Sequence, residues 1–172
     1  MGSIPAPSTL KQGMKYRIVF VTDGTTDALH HDHEHYDGLV QAEAAAAGLD
    51  KNPGPVKWLA LISSRDGTKA TDRLPVDNVP LYTLSANEVA TGRASLWNGS
   101  LLYPINQSPT RPGITGEVWT GTRDGGDCVS NPLGAVYRQE CAGCDVTYFR
   151  SYVTQPNEQK RLVAFSEVFS VG

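Results

Sequence analysis

Apolar and polar positions along the chain change period several times, and each change predicts an element. Residues 16–21, Tyr16-Arg17-Ile18-Val19-Phe20-Val21, are β-branched and aromatic enough for a buried strand, preceded by an extended lead-in that contains Pro5 and Pro7. A turn around Gly24 follows. Over residues 29–48 the period becomes helical. Leu29, Tyr36, Val40, Ala44 and Ala47 share one face at 100° per residue, as in an amphipathic helix laid on a sheet. Asp27 is the expected N-cap and Gly48 the C-terminal stop.

Further strands are expected at residues 56–62, around Trp58, and at residues 79–84, where Pro80 allows only an edge or a first position. Residues 87–96 fit either helix or strand, and Asn98-Gly99 reads as a turn. After a proline-rich loop, residues 117–122 predict a strand that enters a long excursion, residues 123–144, and two more strands are expected at 146–153 and 162–171. One main helix among about six short strands is the α+β class, and no internal repeat is visible. Residues 1–15 form the extended segment and residues 16–172 a single domain, a size one core can serve.

Charge removes two classes of partner. A net charge of −3 without a Lys/Arg run gives no footprint for nucleic acid or anionic lipid, and the apolar runs fall far short of a membrane span of about 20 residues. Cys128, Cys141 and Cys144 cluster near one loop. They suggest a local disulfide, Cys128 with Cys141 or Cys144, formed in an oxidising compartment with one thiol left over. Met1-Gly2-Ser3 has neither the basic nor the apolar region of a signal peptide, so secretion is inferred indirectly.

The most conspicuous chemistry is the run His30, His31, Asp32, His33, Glu34, His35. His31 and His35, spaced i, i+4, could offer two imidazoles to Zn²⁺, with Asp32 and His33 as further ligands, although a solvated first helical turn explains the run as well. Asp124 and Asp127 flank two glycines and could offer oxygens to Ca²⁺, or form a plain acidic turn. Cys141-Ala142-Gly143-Cys144 has the spacing of a redox or zinc motif but not its strand-to-helix setting. Trp58, Trp97 and Trp119 lie among apolar residues and are expected in the core. No nucleophile elbow, phosphate loop or metalloprotease helix is present in its context, so the chain reads as a non-enzyme without a certain cofactor.

Tyr16-Arg17-Ile18-Val19-Phe20-Val21-Thr22, Gln41-Ala42-Glu43-Ala44, Asp72-Arg73-Leu74, Leu96-Trp97-Asn98-Gly99-Ser100-Leu101, Pro104-Ile105-Asn106, Val118-Trp119-Thr120-Gly121-Thr122 and Arg161-Leu162-Val163-Ala164-Phe165-Ser166-Glu167 follow one another in an order that resembles a group of bacterial secreted proteins. Many of these carry a PEP-CTERM sorting signal. More distantly, the chain is similar to C-type lectin-like domains. That resemblance implies a mixed, mostly antiparallel sheet with long loops, its first and last strands paired, in a secreted or cell-surface protein. The triplets through which such lectins hold calcium and sugar are missing, so calcium-dependent binding does not carry over. The leading expectation is an extracellular binding or adhesion module for a carbohydrate or protein surface, with function on the loop region from Thr122 to Asp145. The alternatives are a fibre subunit that self-assembles by strand addition of its N-terminal segment, and a secreted metal-binding protein built on the His cluster.

Overall fold

The computed structural model describes residues 4–74, 78–98, 101–128, 130–134, 141–146 and 149–172. Among these residues lie nine strands and three helices, in the order β1 (Lys15–Val21), α1 (His33–Ala46), β2 (Trp58–Ala60), α2 (Ala70–Arg73), β3 (Leu81–Tyr82), β4 (Glu88–Ala90), α3 (Arg93–Leu96), β5 (Glu117–Trp119), β6 (Cys141–Asp145), β7 (Ser151–Thr154), β8 (Arg161–Ser166) and β9 (Phe169–Ser170). The sheet runs β4-β3-β1-β8-β5-β6-β7, with β2 added on β8 and β9 on β1. Pairings β1–β3 and β5–β8 are parallel and the others antiparallel, so the α+β class and the mostly antiparallel sheet are as expected.

The beginning and end of the chain zip together. Val19, Phe20 and Val21 face Phe165, Ala164 and Val163 across β1–β8, and Tyr16 faces Phe169 across β1–β9. From Ile18 to Val21, β1 reads as a continuous apolar run because both of its faces are covered. Ile18 and Phe20 point into one core with Tyr36, Val40 and Ala44 of α1, while Val19 and Val21 point into a second core with Leu96, Trp97 and Ile105. Phe20 and Trp58 pack with ring centroids 4.9 Å apart under α1. Burying each of these large side chains contributes roughly 2–3 kcal/mol. The three tryptophans are core residues, as expected.

Several expectations change. The helix starts at His33 rather than Leu29, which is 41 % exposed. Asp27 accepts the Leu29 N–H in a local turn, and the helical N-cap Asp32 makes no side-chain capping bond. Cys141-Ala142-Gly143-Cys144 is not a loop but most of β6, hydrogen-bonded between β5 and β7, and the strand expected from residue 146 begins at Ser151. The excursion is tied into the fold where it is described. Leu133 is buried, its N–H donates to Ser63 O at 2.9 Å, and the Gly134 N–H donates to Ala28 O at 2.7 Å. Residues 135–140 of the excursion and the Gly99 half of the expected turn lie outside the described residues.

The lead-in packs on its own domain. Ile4 and Leu10 lie against the α1-side core, and the Gly13 N–H donates to Val171 O at 2.8 Å.

Candidate binding groove

Helix α1 has two working faces. Tyr36, Val40 and Ala44 are buried against the sheet, whereas Glu34, Asp37, Gly38 and Gln41, spaced i, i+3, i+4, i+7, form a stripe beside β2. Among the described residues no strand pairs with the outer edge of β2, and side chains take up several backbone groups along it instead. Gln41 accepts the Trp58 N–H at 2.8 Å and donates to Val56 O at 3.2 Å. Asp37 accepts the Ala60 N–H at 2.9 Å, and Arg73 donates to Ala60 O at 2.8 Å while gripping both Asp37 oxygens at 2.6 Å. Three side chains thus stand in for a missing strand, one of the ways a sheet edge is protected from unwanted pairing. Further along α1, Glu43 accepts the N–H groups of Asp23 and Gly24 at 2.6 and 3.1 Å. The polar residues Gln41, Glu43 and Arg73 of the motifs noted above therefore serve the backbone.

Above this clamp lies an open groove of about 450 Å³, with His33, Glu34, Asp37 and Gly38 on the helix wall and Lys57, Leu59 and Arg73 opposite. The Glu34 carboxylate and the Lys57 ammonium are exposed on its rim and have no hydrogen-bond or ion-pair partner among the described residues, while the Lys57 backbone N–H donates to the Glu167 carboxylate at 3.3 Å. At the helix end, Asp66 accepts the His33 N–H at 2.9 Å and His33 Nδ1 at 2.7 Å, with Ser64 and the Thr68 N–H on its other oxygen. Its partial burial works against ionisation, but those four hydrogen bonds dominate and hold the carboxyl far below its ordinary value of 3.8. Asp66, distant in sequence, supplies the cap that Asp32 does not.

A carboxyl whose pKa is depressed on folding contributes stability that is present above pH 3.8 and lost as pH falls through and below that value. Asp66→Asn is therefore expected to cost about 1–2 kcal/mol at pH 7. In urea unfolding that deficit should shrink steadily below about pH 4, near the ordinary carboxylate range. A deficit unchanged at pH 3 would show that the ionised carboxylate is not its source.

The residues singled out by their spacing do not converge. His35 stacks on His30 with centroids 3.4 Å apart, and its Nε2 lies 3.1 Å from Thr26 Oγ1, so it does not join His31 in a two-imidazole face. Burial, and then the neighbouring His30, lower the His35 pKa. His33 is engaged by Asp66, and Asp32 makes no capping bond. Asp124 accepts the Ser151 N–H at 2.8 Å, and Asp127 accepts from Ser130. Among the described residues, no three His, Cys, Asp or Glu side chains come together to hold a metal.

No disulfide joins Cys128, Cys141 and Cys144, so the expected one is not formed. Alternation along β6 sends Cys141 into the core beneath α1 and Cys144 into the opposite one. Burial pushes the Cys144 thiol up to about 12. Burial also acts against ionisation of Cys128, but hydrogen bonds from Ser63, Thr71 and Thr122 outweigh it and lower its pKa. The stripe Glu34, Asp37, Gly38, Gln41 escaped notice because its signal is polar spacing along a helix, which reads as a solvated face until β2 is placed beside it. No protein-family model matches the chain and no curated protein matches its sequence, so its function is argued from its own geometry.

Proposed function

We propose that this is a secreted or cell-surface binding module of C-type lectin-like type that recognises a carbohydrate or protein surface through the α1–β2 groove, without catalysing a reaction. The observation that supports it most is the rim. A carboxylate and an ammonium, Glu34 and Lys57, face a groove of about 450 Å³ with their hydrogen-bonding capacity unspent among the described residues. Such groups contribute little to the fold and are available to a ligand.

The fibre alternative needs a lead-in free to reach a neighbour, and the docking of Ile4, Leu10 and Gly13 on their own domain favours the binding module. With no disulfide among the three cysteines, the extracellular setting leans on the resemblance alone.

A printed array of neutral and acidic oligosaccharides tests the carbohydrate form of this reading. Wild-type protein should bind a subset of the array. Glu34→Lys and Lys57→Glu should each weaken that signal by roughly tenfold or more, with melting temperatures shifted by no more than a few degrees, because both side chains are exposed and Glu34→Lys loses only a first-turn helix-dipole contact. An array without binding, or charge reversals without effect, would sink it.

A further inference from the structure

A glycine inside a helix is a cost that needs a reason. Relative to alanine it lowers the helical preference of its site by about fivefold. The usual reason is crowding, where something approaches so closely that a methyl would not fit. Gly143, in strand β6, shows such crowding, since a Cβ there would lie 2.8 Å from Val118 O. Gly38 does not. It is an interior residue of the 14-residue helix α1, yet a Cβ built on it would meet nothing within 4 Å. Its neighbours Tyr36 and Val40 are fully buried, whereas Gly38 is exposed and lines the groove.

We infer that the open space over Gly38 seats one ring of a saccharide, which the missing side chain lets lie against the helix backbone between Glu34 and Lys57. This rests on the groove being the binding surface. The walls carry the chemistry that sugar hydroxyls need. Glu34 offers two acceptor oxygens and Lys57 three donors, and a hydroxyl can both donate and accept, so neighbouring hydroxyls can satisfy both walls. His33 adds to the acceptors. Because its Nδ1 faces the Asp66 carboxylate at 2.7 Å, the proton of the neutral ring sits on Nδ1 and leaves a lone pair on Nε2. Leu59 gives the floor an apolar patch for the C–H face of the ring. An extended peptide would instead seek backbone rungs, and Gln41, Asp37 and Arg73 already occupy those of β2.

Gly38→Ala and Gly38→Leu separate the ligand's demand from the fold's. Both should raise the melting temperature, Gly38→Ala by about 2–4 °C, because each is a better helix former with room for its side chain. Calorimetric titration with the oligosaccharide that gives the strongest array signal should show Gly38→Ala binding severalfold more weakly. Gly38→Leu, which fills the seat, should bind at least roughly tenfold more weakly. A more stable protein that binds less is the expected signature. Gly38→Leu binding as tightly as wild type while the Glu34 and Lys57 reversals still lose binding would overturn the seat and leave the groove standing. A wild-type protein that binds nothing on the array would overturn both. A lower melting temperature for Gly38→Ala would show that the glycine serves the fold and would also overturn the seat.

Discussion

Gly121→Ala is expected to cost about 3–5 kcal/mol, a large part of the stability of a domain of ordinary size. Two terms add. Gly121 sits at φ +59°, a left-handed conformation that any side chain resists. A Cβ there would also stand 2.1 Å from Ser63 O and 2.9 Å from Leu133 N, both backbone atoms that cannot swing aside. Those two atoms are bonded to each other, Leu133 N–H to Ser63 O at 2.9 Å, and the Ser63 N–H donates to Thr120 O at 2.8 Å. Relieving the clash therefore breaks the seam that ties the excursion to the sheet. Gly113→Ala provides the control. It shares the positive φ, +71°, but its Cβ would meet nothing within 4 Å, so only the conformational cost of about 1 kcal/mol should appear. Equal losses for the two variants in urea unfolding would refute the steric account.

How far the sequence reveals this fold depends on the range of the interaction involved. β1, the α1 stripe Tyr36, Val40, Ala44 and the closing strand β8 are legible because each is a run whose periodicity states its own burial. The start of α1 is not. The 100° wheel accepts Leu29, but the helix begins where Asp66 caps it from 33 positions away, and no local pattern carries that contact. β6 fails as a sequence signal for a related reason. Cysteines around Ala-Gly look like a loop, and it is Tyr152 and Val118, packed within 3 Å of where a Gly143 Cβ would be, that make glycine fit a strand there. The histidines attract attention through composition, yet the rings of His30, His33 and His35 turn toward Thr26, Asp66 and one another. The groove, by contrast, leaves a faint mark, a glycine in the middle of an otherwise well-formed helical pattern.

Removing the Arg73 guanidinium should destabilise the domain by about 3 kcal/mol, because three charge-assisted hydrogen bonds are lost together and a carboxylate loses its cation. The Arg73 and Asp37 side chains are only 10 % and 18 % exposed, so Arg73→Ala leaves a largely buried carboxylate without its cation and an Ala60 carbonyl with only the Ile62 N–H as donor. Arg73→Lys should not restore the loss. A single ammonium cannot grip both carboxylate oxygens and reach the Ala60 carbonyl in the planar geometry that the fork provides. Asp37→Ala should cost somewhat less, since the arginine left behind retains the carbonyl and lies beside the open groove. Because the two side chains act as one clamp, the double variant should fall well short of the sum of the single losses, with a coupling of about 1–3 kcal/mol by chemical denaturation. Additive losses would mean that each holds β2 independently. The clamp also bears on association. Freed of both Arg73 and Asp37, β2 presents a more open edge, and the double variant Arg73→Ala, Asp37→Ala should self-associate with rising concentration in size-exclusion chromatography under conditions where the wild type elutes unchanged.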